Sequence, residues 1–105
     1  MAQTDLSGRG VAVMRDRYYV RFERILTPWT NALDEFNHHC WELRKQWRVD
    51  NPDSMTGPPV YNTDENRAAW FLEKHNIVLS KNANGILKLG FASEEDVTLF
   101  ALRMS

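Results

Sequence analysis

The sequence predicts an α+β fold, and three observations carry that expectation. Between Thr27 and Arg48 the apolar residues Trp29, Leu33, Phe36, Cys40, Leu43 and Trp47 recur at alternating steps of four and three, which lays one stripe along a helix. Farther on, Ile77-Val78-Leu79 and Ile86-Leu87-Lys88-Leu89 are short apolar runs separated by Asn82-Ala83-Asn84-Gly85, the pattern of a β-hairpin whose Asn-Gly pair accepts positive φ. Ser93 stands three residues before Asp96, with Glu94 and Glu95 between them, a capped and acid-rich helix start. The expected order is two N-terminal helices bent near Thr27-Pro28, then a helix, the β-hairpin and a C-terminal helix.

Each element has its own local reason. Residues 1–10 hold Gly8 and Gly10 and little to bury, so they are expected to form a flexible arm. Val11, Met14, Tyr18, Phe22 and Ile25 step by three and four, which favours a helix to about Leu26. A strand over Tyr19 to Ile25 competes, because Tyr, Val, Phe and Ile suit strands and Val-Arg-Phe-Glu alternates. Such a strand would join the hairpin as a third. Thr27 reads as an N-cap with Pro28 in the first helical position, and the seam beyond it is core. Trp41 lies about 100° off that seam, among Asp34, His38 and Lys45, where an indole stays partly in water. Residues 49–62, with Pro52, Gly57, Pro58 and Pro59, form a long Pro-rich loop. Thr63 caps a short helix through about His75 that carries Ala69, Trp70 and Leu72, ended by Asn76. The last helix turns Val97, Phe100, Ala101 and Met104 inward.

Length and charge narrow the classes of function. A chain of 105 residues with 43% hydrophobic residues suits one small domain with a modest core. Residues 1–48 carry eight Lys/Arg against six Asp/Glu, and residues 49–105 carry five against eight, so the halves are +2 and −3. That balance lacks the one-sided basic character of a duplex-coating protein. Cys40 is the single cysteine, which excludes an intramolecular disulfide and fits a reducing compartment. With no apolar leader at Met1 to Gly10 and no run of about 18 apolar residues, the expected location is cytoplasmic, without membrane association.

Residues able to carry chemistry are present but poorly assembled. Glu35 and His38 have the Glu-x-x-His spacing of di-metal carboxylate bundles, yet no second copy exists and both point away from the stripe. They are expected to pair with each other on the surface. Cys40, which His38, His39 or His75 could in principle activate, sits in the middle of the apolar stripe, where a thiolate is disfavoured. No Gly-rich phosphate loop, Gly-x-Ser-x-Gly or Cys-x-x-Cys occurs. The expectation is a non-enzymatic protein with no cofactor and no metal.

Binding residues are the more promising set. Arg17, Arg21 and Arg24, spaced by four and three, would share one face of the first helix beside Tyr18 and Tyr19, with Arg44, Lys45 and Arg48 contributing from the next. Mixed charge along the chain, with Asp16 and Glu23 interleaved, favours a solvated face over a nucleic-acid site. The candidate partner-binding residues are Trp41, Lys45, Arg17, Arg21, Arg24 and Tyr61. A protein partner is expected, nucleic acid is the lesser alternative, and a homodimer stays open. Glu94, Glu95 and Asp96, with Asp64 and Glu65, are accounted for by helix capping.

The run Phe91-Ala92-Ser93-Glu94-Glu95-Asp96-Val97-Thr98-Leu99-Phe100-Ala101-Leu102-Arg103, preceded by Trp70-Phe71-Leu72, resembles the tail of small, mostly uncharacterised proteins of tailed bacteriophages. Those end in a strand, a Phe-x-x-Glu-Glu-Asp-like cap and a short helix closing on Phe-x-Leu-Arg. The likeness covers about residues 70–104, and Met104 stands where that family often has Trp. It implies a viral origin and no catalytic residue. The functional expectation is therefore a phage accessory protein that acts by protein–protein binding in the host cytoplasm, for example by inhibiting a host or antiviral-defence protein. A minor virion component and a DNA-binding regulator are the alternatives.

Overall fold

The computed structural model describes residues 17–105. The expected arm and the Val11 to Met14 part of the expected first helix lie outside the described residues. In chain order the elements are β1 (Tyr18–Arg21), a 3-10 turn (Phe22–Ile25), α1 (Leu26–Asp50), α2 (Asp64–His75), β2 (Val78–Lys81), β3 (Leu87–Phe91) and α3 (Glu94–Arg103). The α+β class holds.

The start of the chain departs from the helical expectation. Tyr18 to Arg21 form an edge strand paired antiparallel with β3, Val20 opposite Leu89 and Arg21 opposite Lys88. β2 pairs with the other side of β3, Leu79 opposite Leu89, so the sheet order is β1-β3-β2. The competing strand therefore forms over its first residues. Helical spacing misled because Phe22 and Ile25 lie three apart in a 3-10 turn, which brings them to the same side. Ile25 is buried, and the Phe22 ring is 6.5 Å from that of Trp29, so the apolar register runs on into α1 although the element changes. Docking Val20 on the open edge of β3 decides the strand.

The bend lies two residues earlier than Thr27-Pro28 suggests. Ile25, at φ −133° and ψ 47°, is the non-helical residue before α1, and no side chain caps this end. Thr27 is thus inside the helix rather than its N-cap. Pro28 is the third residue of α1, where the missing N–H would have had no intrahelical partner. The helix also runs to Asp50, taking in the first two residues of the expected loop.

Alternation places one face of the sheet against all three helices. Val20, Leu89 and Phe91 point inward to meet Trp29, Ala32, Phe36 and Cys40 of α1, Trp70 and Phe71 of α2, and Phe100 and Met104 at α3. The core is largely aromatic: Trp29 and Phe71 ring centroids are 4.9 Å apart, Phe36 and Trp70 5.6 Å, Phe91 and Phe100 5.5 Å, within the range of favourable tilted pairs. The stripe on α1 outruns its cover. Leu43 is 37% exposed and Trp47 only half-buried, because the rings of α2 meet α1 farther toward its start, at Trp29 and Phe36.

The remaining ends form as local chemistry dictates. Thr63 Oγ1 accepts a hydrogen bond from Asn66 N at 3.1 Å, and Ser93 Oγ from Asp96 N at 3.3 Å, each satisfying one of the free N–H groups of a first turn. Asn76 closes α2 in the left-handed region at φ 55°, a conformation asparagine tolerates. In the hairpin, Asn82 Oδ1 accepts from Asn84 N and Ile86 N at 2.8 and 3.0 Å while Gly85 takes φ 80°.

Candidate functional site

The outer side of α1 presents the indole that the stripe does not explain. Trp41 is 48% exposed. His38, one turn earlier, stacks on it with centroids 5.8 Å apart, and Lys45, one turn later, holds its ammonium 4.9 Å from the ring centroid. Contacts at i−3 and i+4 follow from helical spacing, and together they restrict the indole before any partner arrives. His38 is itself tied to Glu42, 3.5 Å away. The surface here is a flat aromatic flanked by a cation.

The arginines expected to share a helical face are separated by the strand. Arg17 is engaged within the fold. Its guanidinium donates to the backbone oxygen of Asn76 at 2.6 Å, to Asn76 Oδ1 at 2.9 Å and to the Gly90 oxygen at 3.3 Å. It thereby straps the entrance of β1 to the end of α2. Arg21 leaves the outer face of the sheet, 3.9 Å from Glu23 in an exposed pair, and Arg24 is exposed on the 3-10 turn. Neither approaches Trp41 or Lys45. Tyr61 is partly buried against the core and lines a separate open groove of about 620 Å³ with Leu43, Ala69 and Trp70.

Glu35 and His38 do not pair with each other, contrary to the surface pair expected from their spacing. Glu35 instead reaches across to His75, Oε1 to Nε2 at 3.2 Å, a contact between α1 and α2 that sequence separation hides. His75 is nearly enclosed, its side chain 7% exposed, with the rings of Trp70, Phe71 and Phe100 at 5.3, 5.8 and 5.4 Å. Arg103 of α3 sits 3.1 Å from Nδ1. A guanidinium can only donate, so Nδ1 accepts and the proton of the neutral ring resides on Nε2, facing the carboxylate. Burial lowers the His75 pKa, Arg103 and Lys74 lower it further, and Glu35 acts in the opposite direction. With both nitrogens engaged, the imidazole ties three helices together and has no free lone pair with which to accept a proton.

The other groups with chemical potential are similarly committed. Burial raises the Cys40 pKa against the lowering effect of Arg44 and Arg67, so the thiol stays protonated. Asp64 is held by Arg67 at 2.7 Å, with Lys81 at 3.9 Å, and the Arg67 hydrogen bond lowers its pKa. Asp64, Arg67 and Lys81 line a cleft of about 500 Å³ together with the apolar Trp29, Leu33, Leu79 and Leu87. Among the described residues no group of three His, Cys, Asp or Glu side chains is arranged to hold a metal ion, and no helix is long and apolar enough to cross a membrane.

Comparison with protein-family models, curated proteins and solved structures finds no match. The molecule's own geometry is therefore the ground for a functional reading. Sequence reasoning weighed His75 only as a partner for Cys40 and missed its junction with Glu35 and Arg103. The signal was the helix-end place of His75, in the last turn of α2 after Trp70 and Phe71, and of Arg103, in the last turn of α3 after Phe100.

Proposed function

We propose that this is a non-catalytic accessory protein that acts by binding another protein through the outer face of α1. The observation that carries the reading is Trp41, held between His38 and Lys45 yet half open to solvent. A restricted aromatic loses little conformational freedom on burial, and indoles flanked by cations are typical binding anchors. Arg48 extends the cationic flank along the same face. The complementary partner is a protein with an apolar pocket rimmed by acidic residues. The engagement of His75, Cys40 and Asp64 within the fold supports binding over catalysis. The phage-like tail favours a bacterial host protein as the target, whose action the contact would block or redirect.

The test is affinity capture from a bacterial host lysate with the wild-type protein and with Trp41→Ala, after circular dichroism has shown equal folding. A partner retained by the wild type and released by Trp41→Ala, then reconstituted from purified components, supports the reading. Identical recovery by both proteins, or no partner, refutes it.

A further inference from the structure

The outer face of the sheet, on the side away from the three helices, has an arrangement that folding alone leaves unexplained. Arg21 and Lys88 stand directly opposite each other on β1 and β3, both exposed and both pointing outward, since their neighbours Val20 and Leu89 are buried. Like charges facing each other across strands destabilise a sheet. Ser80 of β2 completes the row. One row over, Tyr19 pairs with Gly90 and lies across it so closely that a Cβ on Gly90 would be 2.7 Å from the Tyr19 ring. The glycine lets the ring rest on the sheet, and the half-buried tyrosine keeps part of its surface open. Among the described residues, no outward position of the three strands is acidic, and Glu23 meets Arg21 only from the adjoining turn, at 3.9 Å.

We infer that this face binds single-stranded nucleic acid, with a base stacked on Tyr19 and the flanking phosphates on Arg21 and Lys88. The paired cations account for an affinity for phosphate. The ring selects a nucleic acid over an acidic peptide, because any base offers a face to stack. It selects a single strand because bases in a duplex are already stacked and their faces are out of reach. This surface is formed by the strands and shares no residue with the Trp41 patch on α1.

The experiment is fluorescence anisotropy with short labelled oligothymidine and oligouridine. Two phosphate contacts predict that affinity falls by about 7-fold between 50 and 200 mM salt, from a slope of about 0.7 per phosphate. The double reversal Arg21→Glu with Lys88→Glu should abolish binding. Tyr19→Leu should weaken it by at least about 5-fold, the least expected for a lost stack, while Tyr19→Phe retains it. Circular dichroism melts confirm that each variant is folded, and Lys88→Gln serves as the milder substitution if the reversal unfolds the sheet. Several results would overturn the inference: no binding by the folded wild type at 50 mM salt, unchanged binding by the folded charge variants, equal affinity for duplex, or a polyglutamate competitor as effective as oligothymidine with Tyr19→Leu silent.

Discussion

Replacing Gly90 by alanine should destabilise the protein while Tyr19 is present and stabilise it once Tyr19 is gone. The new Cβ would stand 2.7 Å from Tyr19 Cε1 and 3.0 Å from Cζ, so the ring has to swing off the sheet. Forcing a group into a filled position costs about 1–3 kcal/mol. Against that, removing glycine's freedom in the unfolded chain contributes about 0.4–1 kcal/mol where the backbone suits alanine. Gly90 meets that condition, because Gly85 is the glycine with positive φ among the described residues. The net expectation is a loss of about 1–2 kcal/mol in the wild-type background. With Tyr19→Ser the obstruction vanishes, and Gly90→Ala should then gain about 0.4–1 kcal/mol. Urea denaturation of the four proteins of this double-mutant cycle measures both signs at once. Gly90→Ala that stabilises the wild type, or the same change in both backgrounds, would refute the idea that the ring rests on the glycine.

Other consequences are more local. Because the folded His75 resists protonation, its contribution to stability is complete above the ordinary histidine value of 6.5. It is lost as pH falls from there toward the lower folded pKa, since the unfolded chain takes up the proton first; a urea midpoint that falls below pH 6.5 in the wild type and falls less in His75→Gln checks this. Thr63→Ala and Ser93→Ala should each cost about 1 kcal/mol, and the two losses should add in thermal melts because the caps share no partner. Phe71→Ala, which empties a fully buried ring site, should cost about 3–5 kcal/mol. Cys40 should react with a thiol reagent only as fast as the protein opens, and rapid modification of the native state would contradict its burial.

The elements most legible in the sequence were those whose reasons are local. Thr63, Asn76, Asn82, Gly85 and Ser93 act within a few residues of themselves, and the expected caps and hairpin stand where their chemistry places them. The first element was misread because Tyr18, Phe22 and Ile25 satisfy a helical spacing and a strand-plus-3-10 path equally well. Only the open edge of β3, about seventy residues away along the chain, distinguishes the two. Trp41 could be located from its angle off the stripe, whereas the sheet face with Tyr19, Arg21 and Lys88 could not, since its members lie on strands brought together by the fold.

By itself, then, the sequence determined the stripe on α1, the caps at Thr63 and Ser93, the turn of the hairpin and the outward setting of Trp41, because each follows from backbone geometry and near neighbours. Tertiary structure alone decided that Glu35 would take His75 rather than His38, that Arg17 would serve as a strap on Asn76, and that Arg21 and Lys88 would face each other. Those pairings depend on which surfaces the buried rings of Trp29, Phe36, Phe71 and Phe100 draw together, and hydrophobic burial has no direction along the chain from which the partners could be read.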